Sequence, residues 1–153
     1  MKRFDGAVVK FRIFDRIHKT IWVAGENQHD TFHIWEDNQV SYYNYQTGEP
    51  SILPGDEILD DGSGYILMRY TGKYDMAGKE VYEGDVIENP YGIHMEIRYG
   101  EYQAYCPADR CFMDGVGFYA VGTGLPEMPI GCLEDYATVI GNVWENPELK
   151  VGE

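Results

Sequence analysis

The chain has 153 residues, and its 12 Lys and Arg residues against 26 Asp and Glu residues give a formal net charge of −14 at pH 7. This charge argues against general binding to nucleic acid or to anionic lipid, because both need cations that neutralise phosphate. Hydrophobic residues make up 44% and aromatic residues 14% of the chain, which is typical of a folded domain and not of an acidic disordered segment.

Strand signals dominate along the chain. Runs of β-branched and aromatic residues, bounded by Gly, Asn or Asp, predict strands at residues 8–14, 20–23, 31–35, 40–45, 65–70, 93–99, 117–121 and 137–144. In the sixth run, alternation predicts that Ile93, Met95, Ile97 and Tyr99 point inward and that His94, Glu96 and Arg98 point outward.

The predicted fold is mainly β, a small twisted barrel or sandwich with SH3-like corner features, little or no helix, and two lobes as an option. A helical turn is expected only at residues 56–61 or 132–136. The best internal break is at residues 50–55, so the single domain 1–153 divides into lobes 1–50 and 65–150 if there are two.

Charge is distributed unevenly. The basic residues of the first segment, 1–19, are Lys2, Arg3, Lys10, Arg12, Arg16 and Lys19. Residues 20–68 contain acids but no Lys or Arg. The acidic stretch is interpreted either as a solvated face or as a patch that meets a basic partner, including a surface that normally holds DNA.

Nothing in the sequence points to a membrane, a metal or a cofactor. No apolar run approaches the roughly 18 residues of a membrane span, and no signal-peptide pattern follows Met1, so we expect the cytoplasm. Cys106, Cys111 and Cys132 are expected to be reduced and buried. Cys106 and Cys111 have C-x4-C spacing, but no second Cys or His pair accompanies them, so zinc is not predicted.

The densest local signal lies at residues 67–87. Asp75 and Gly78 predict a turn, because Asp accepts hydrogen bonds from nearby backbone N–H groups and Gly allows positive φ. Gly84 and Asp85 predict a bend before the apolar Val86 and Ile87.

Three blocks resemble the YopX-like family of phage and prophage proteins. They lie at residues 10–15, 67–87 and 139–149, in the family's order, and cover about a quarter of the chain. The resemblance implies a mostly β fold and an origin in a phage or prophage, acting inside a bacterial host. It brings no established activity and no catalytic residues. The matching positions interpreted as structural are Gly72, Asp75, Gly78, Gly84, Asp85, Gly141, Asn142, Asn146 and Pro147.

Clustered aromatic residues are the binding candidates. Trp35, Tyr43 and Tyr45 form one possible aromatic surface, and Tyr99, Tyr102 and Tyr105 form a second. Tyr suits interfaces because it offers a large contact area at low entropic cost. The alternative is that these rings fill the core of a small β fold.

The absence of catalytic motifs favours a non-enzymatic accessory protein that binds a host or phage protein, with a homo-oligomer as a plausible state. The first alternative is nucleic-acid binding through the basic residues of segment 1–19. The second is mimicry of DNA by the acidic residues of segment 20–68.

Overall fold

A computed structural model of the chain describes residues 10–16, 19–23, 30–34, 40–44, 49–51 and 65–151. The strands are β1 (Phe11–Asp15), β2 (Thr20–Val23), β3 (Asp30–Ile34), β4 (Val40–Asn44), β5 (Glu49–Ser51), β6 (Tyr65–Tyr74), β7 (Glu80–Tyr82), β8 (Asp85–Glu88), β9 (His94–Cys106), β10 (Cys111–Gly122), β11 (Met128–Pro129) and β12 (Thr138–Asn142). Two short 3₁₀ turns, Leu133–Asp135 and Pro147–Leu149, accompany them. The predicted mainly β fold is confirmed. A helical turn was expected near residue 133 and is present, whereas residues 56–61 lie outside the described part.

The chain forms two compact units, Val9–Arg69 and one that contains Tyr70–Glu153, in agreement with the two lobes of the predicted fold class. The boundary lies inside β6, where the first half of the strand pairs with β1 and the second half with β7. The predicted lobe limits themselves stay a prediction.

The first unit contains two antiparallel arrangements. β1 pairs with β2 on one side and with β6 on the other, whereas β3, β4 and β5 form a separate sheet in that order. Ile13 and Tyr65 form the buried cluster of this unit, with partly buried Trp22 packed against it. Phe14 and Asp15 are buried beside Ile13, so the end of β1 is covered on both faces.

The second unit is built on a five-stranded antiparallel sheet of order β11-β10-β9-β8-β12. Apolar side chains from the strands and from the 3₁₀ turn meet on one side of it. The buried members of this core are Val81, Ile87, Met95, Ile97, Ala120, Ile130, Leu133 and Ala137. Burial of so many apolar side chains stabilises this unit through the hydrophobic effect.

Three predicted strands were too short. β6 continues past Tyr70 to Tyr74 by means of a register shift, and the runs at 93–99 and 117–121 are parts of β9 and β10, with 13 and 12 residues. Gly100 and Gly115 lie outside the predicted strands and Gly117 lies at the start of one, and isolated Gly weakens a strand. In the structure these glycines lie inside a long hairpin.

The inward and outward assignment of residues 93–99 is correct for Met95 and Ile97 and wrong for Ile93, Glu96 and Tyr99. Ile93 and Tyr99 are exposed, Tyr99 at 44%. Glu96 is only 7% exposed, because Arg98 binds both its carboxylate oxygens at 3.2 Å. A bidentate charged partner of this kind lets a carboxylate be buried in a sheet.

Candidate functional site

The long hairpin of β9 and β10 extends beyond its neighbouring strands. β8 pairs with β9 only at His94–Glu96, and β11 pairs with β10 only at Tyr119 and Ala120. Between residues 99 and 118, the two strands pair with each other. An isolated bridge also joins Ala104 of β9 to Glu127. We call residues 99–118 the distal hairpin.

A glycine rung marks the start of the distal hairpin. Gly100 and Gly117 lie directly opposite each other, with φ angles of 147° and 146°. Residues with a Cβ rarely adopt such angles, so both positions of this rung favour glycine. The glycine rung lies between the buried Ile97–Ala120 rung and the exposed end of the hairpin.

One face of the distal hairpin is covered by its own aromatic rings. Tyr102 lies over Gly115, where an added Cβ would come within 2.6 Å of the ring. Tyr102 also stacks on Tyr119, with the ring centroids 5.1 Å apart. An aromatic ring over a cross-strand glycine restores the packing that the missing side chain leaves open.

The opposite face is exposed, and we call it the exposed hairpin face. Register places on it Tyr99, Glu101, Gln103 and Tyr105 from β9 and Phe112, Asp114, Val116 and Phe118 from β10. The two ends of this face are edge-to-face aromatic pairs, Tyr99 with Phe118 at 4.9 Å and Tyr105 with Phe112 at 5.3 Å. Val116 is 75% exposed and Phe112 60%, so large apolar side chains face solvent here.

An acidic cavity of about 320 Å³ lies along the rungs between these aromatic pairs, and two residues of the covered face also line it. Its lining residues are Glu101, Tyr102, Gln103, Asp114, Gly115, Val116 and Glu127. Three of these side chains are carboxylates and none is basic, so the cavity favours a cationic group.

Gln103 organises the cavity lining. Its backbone N–H donates to Glu127 Oε1 at 3.0 Å, and its side-chain amide donates to Asp114 Oδ1 at 2.9 Å. The carboxylate of Glu127 thus caps an edge N–H of β9 that would otherwise face solvent. These contacts fix two of the three acids, while Glu101 faces solvent opposite Val116.

The predicted binding residues fall in different places. Trp35 and Tyr45 lie outside the described residues, and Tyr43 lies on β4, in register with Thr31 and Pro50. The second predicted aromatic group is divided between the two faces of the hairpin: Tyr99 and Tyr105 are on the exposed face and Tyr102 on the covered one.

Sequence reasoning missed the β10 half of this site, because residues 111–116 were not predicted as strand. A signal was present: a Pro-Ala-Asp-Arg tetrapeptide stands between Tyr105-Cys106 and Cys111-Phe112, and matched residues on both sides of a turn indicate a hairpin. The cysteine expectation was wrong in part, since Cys111 and Cys132 are exposed and Cys106 is half-buried.

A second polar cluster lies at what we call the carboxylate corner, residues 75–85 with residues 137–146. Asp75 is buried, and its carboxylate accepts backbone N–H groups from Ala77 at 2.9 Å, Lys79 at 2.8 Å and Val139 at 2.9 Å. Gly78 completes the turn with a φ of 83° and donates its N–H to Asp75 O. One side chain therefore holds the turn and joins it to β12.

The same contacts determine the ionisation of Asp75. Burial alone raises the pKa of a carboxyl group, because it penalises the charged form. The hydrogen bonds from Val139, Lys79 and Ala77, with the charge of Lys79, outweigh that penalty, so the pKa of Asp75 lies below its usual 3.8. Asp75 is a structural anion and not a proton donor at neutral pH.

The other predicted structural residues lie around this corner. Asp85 accepts the N–H of Tyr82. Gly84 donates its N–H to the Ile97 carbonyl oxygen, and its own carbonyl oxygen accepts the N–H of Val143. Gly72 lies in the register shift of β6.

The end of the chain closes the corner through Asn142. Its side-chain oxygen accepts the N–H groups of Trp144 and Glu145, while Asn146 Oδ1 accepts the N–H of Asn142. A Cβ on Gly141 would come within 2.5 Å of that Asn146 oxygen. Pro147 begins the second 3₁₀ turn.

A second cavity, of about 350 Å³, offers less chemistry. It is lined by Gly92, Ile93, His94, Thr123 and residues 148–151. His94 Nε2 lies 3.0 Å from Glu88 Oε2, in a partly exposed pair, and no Ser, Cys or Thr is bonded to it in the described contacts. In the part of the chain that the structure describes, no three His, Cys, Asp or Glu side chains are grouped to hold a metal ion. Among the same residues, no helix has the length and apolar character to cross a membrane.

Comparison with known proteins identifies the fold and the family. The chain is similar in fold to protein EF1440 from Enterococcus faecalis, with a TM-score of 0.53 and 23% identity over 94% of this chain and 98% of that one. At this identity the likeness shows the fold alone. Comparison with curated proteins returned no match. The sequence profile of the YopX protein family matches residues 10–149, nearly the whole chain, so this protein belongs to the YopX family.

Proposed function

We propose that this protein is a non-enzymatic interaction module and that its partner, a host or phage protein, binds the exposed hairpin face. The observation that carries the proposal is the acidic cavity between two aromatic pairs, in which Tyr99, Tyr105 and Phe112 are exposed and Phe118 is partly buried against the core. Exposed apolar side chains grouped with polar ones are typical of protein-binding surfaces. The setting we propose is the cytoplasm of a bacterium that carries the phage or prophage.

The chemistry of the face specifies the partner surface. Glu101, Asp114 and Glu127 favour a Lys or Arg side chain in the cavity, and the flanking rings favour the same group through cation–π contacts. Phe112 and Val116 require apolar contacts beside that basic group. We therefore propose a protein partner with a basic side chain surrounded by apolar ones.

A tagged pulldown from host lysate, with and without nuclease, tests the proposal. The test variant is Phe112→Ser with Val116→Ser, and the matched control is Met76→Ser with Tyr91→Ser, two exposed apolar residues in turns away from the hairpin. We expect a partner that survives nuclease, binds the control variant and is lost with the hairpin variant. Equal binding by both variants would contradict the proposed surface.

Charge reversal tests the cavity itself. Glu101→Lys is expected to weaken partner binding about tenfold and to reduce its dependence on salt, since it removes one attraction and adds a repulsion. Glu134→Lys, an exposed acid in the first 3₁₀ turn, is the control for net charge. Equal losses would point to the overall charge of the protein and not to the cavity.

The same pulldown distinguishes the two alternative functions. Material that disappears with nuclease would favour nucleic-acid binding through the basic residues of segment 1–19, of which Lys10 and Lys19 are exposed. Capture of a DNA-binding host protein by the wild type and the hairpin variant alike would favour mimicry of DNA by the acidic residues. Light scattering of the wild-type protein tests the proposed homo-oligomer.

A further inference from the structure

Two cysteines close the tip of the distal hairpin. Cys106 ends β9, Cys111 begins β10, and the two residues are direct cross-strand partners on the last rung. Opposed residues of an antiparallel pair have Cα atoms about 4.5–5.5 Å apart and side chains on the same face. A disulfide spans Cα separations of about 4.4–6.8 Å, so the backbone already has the required spacing.

The thiols are also accessible to a reagent. Both are free, with Cys111 exposed and Cys106 half-buried, where Cys106 Sγ lies 3.8 Å from Asp109 Oδ2. The four intervening residues, Pro107–Arg110, form a closed turn, with Arg110 at a φ of 52°. Because the turn already holds both strand ends, a bond between the sulfurs requires side-chain rotation and not refolding.

We propose that Cys106 and Cys111 form a reversible disulfide within the chain by exchange with a small-molecule disulfide such as oxidised glutathione. Deprotonated Cys111, the more exposed thiol, attacks one sulfur of the reagent, forms a mixed disulfide and releases one glutathione thiolate. Cys106 then gives its proton to water, attacks Cys111 Sγ and expels the second glutathione thiolate. The two protein thiols are oxidised to one disulfide, and the reagent is reduced to two thiols.

The disulfide acts on the tip of the exposed hairpin face. The rung next to the cysteines carries the Tyr105–Phe112 ring pair. Two rungs further along, the side chains of Gln103 and Asp114 are hydrogen-bonded. A covalent link at the last rung therefore restricts the separation of the strand ends that carry these two rings. The proposal rests on the register of the cysteines and does not depend on the proposed binding function.

Cys132 provides an internal control. It is exposed, it precedes the first 3₁₀ turn, and no described cysteine lies opposite it in a strand pair. It can form a mixed disulfide with glutathione, but exchange within the hairpin is not open to it. The same reaction mixture thus reports both kinds of chemistry.

The full-length reduced protein is incubated with oxidised glutathione, quenched with acid, alkylated and mapped by peptide mass. We expect a loss of two hydrogen atoms in the peptide that joins Cys106 to Cys111, in roughly tenfold excess over the glutathione adduct at Cys111, because the second thiol attacks at high effective concentration. Reduced glutathione restores both thiols. In Cys106→Ser the adduct at Cys111 accumulates, and Cys132→Ser leaves the internal disulfide unchanged.

Two results would overturn the proposal. One is stable glutathione adducts at Cys106 or Cys111 of the wild-type protein without an internal link. The other is covalent dimers through Cys111 as the main product. Neither result depends on whether a variant folds, because both are read from the wild-type chain.

Discussion

The carboxylate corner and the exposed hairpin face belong to the same compact unit and use their polar groups in opposite ways. At the corner, Asp75 is buried and binds three backbone N–H groups, one of them 64 residues away in sequence. On the hairpin face, Glu101 and Asp114 border a cavity open to solvent beside exposed Val116. The corner uses charge to hold the chain together, whereas the hairpin leaves charge available to a partner.

The carboxylate corner brings together two of the three blocks that resemble the family. The blocks at residues 67–87 and 139–149 meet at the carboxylate corner, where Val139 and Val143 bind Asp75 and Gly84. The distal hairpin falls between the blocks. These two blocks therefore support the fold, whereas the surface that we propose for binding lies between them along the chain, within the range that the family profile also matches.

The largest expected difference lies along the hairpin itself. Ile97→Ala should destabilise the protein by about 3 kcal/mol, because Ile97 is fully buried in the core and its truncation leaves a cavity. Val116→Ala should change stability by less than about 0.5 kcal/mol, since the side chain is mostly solvated. Urea unfolding of both variants measures the contrast. Similar losses would mean that the distal hairpin is packed in solution.

Asp75→Asn should cost about 2 to 3 kcal/mol at neutral pH, because it weakens charge-assisted hydrogen bonds to Ala77, Lys79 and Val139. Asp135→Asn, the same substitution at an exposed site, is the matched control. A tagged pulldown should find partner binding by both folded variants unchanged. Loss of binding by Asp75→Asn with unchanged far- and near-ultraviolet circular dichroism would contradict the separation between corner and hairpin.

The pH dependence of that variant sharpens the assignment. The pKa of Asp75 is lowered in the folded state, so its contribution is present above the unfolded value of 3.8 and is lost as pH falls through the folded pKa. The stability difference between wild type and Asp75→Asn should therefore narrow below pH 3.8. A difference that stays constant in acid would show that the carboxylate charge is not the stabilising feature.

The two regions also differ in how far sequence predicts them. The turn of Asp75 and Gly78 is local, and both residue types have strong conformational preferences, so the pattern predicts it. The hydrogen bond from Val139 depends on tertiary pairing and leaves no local signal. The distal hairpin was missed because Gly100 and Gly117 look like strand ends; that they share a rung is a property of the pairing.

The candidate site shows the same limit. Tyr99 and Tyr105 were recognised as one possible aromatic surface, since Tyr is typical of interfaces. Their partners Phe118 and Phe112, and the acids between them, come together only when β10 is in register with β9. Composition predicts that aromatic and acidic side chains are available, but the register determines which of them form one face.

The ionisation of the buried Tyr70 predicts a loss of stability at high pH. Burial, followed by the hydrogen bond and charge of Tyr74 and the charge of Glu80, raises the pKa of Tyr70 from 10.0 to about 12. Its contribution to stability is full below pH 10 and is lost as pH rises to about 12, by roughly 2 kcal/mol. Tyr70→Phe should remove that part of the alkaline loss, and Tyr91→Phe, at an 88% exposed residue, should not. Chemical denaturation at pH 9, below that range, and at pH 11, inside it, measures both variants.

Gly78→Ala is the smallest of these effects and isolates backbone conformation from packing. No atom lies within 4 Å of the added Cβ, so the cost arises from holding Ala at a φ of 83° and amounts to about 1 kcal/mol. Gly115→Ala is the opposite case, because Gly115 shows no such φ and its Cβ would meet the Tyr102 ring at 2.6 Å. Urea unfolding should show a loss for Gly78→Ala with the Tyr102–Tyr119 stack intact. For Gly115→Ala, the near-ultraviolet circular dichroism should change, because the added Cβ displaces the Tyr102 ring. If Gly78→Ala also changed the aromatic signal, the corner and the hairpin would be coupled. The separation between a structural corner and a binding hairpin would then be wrong.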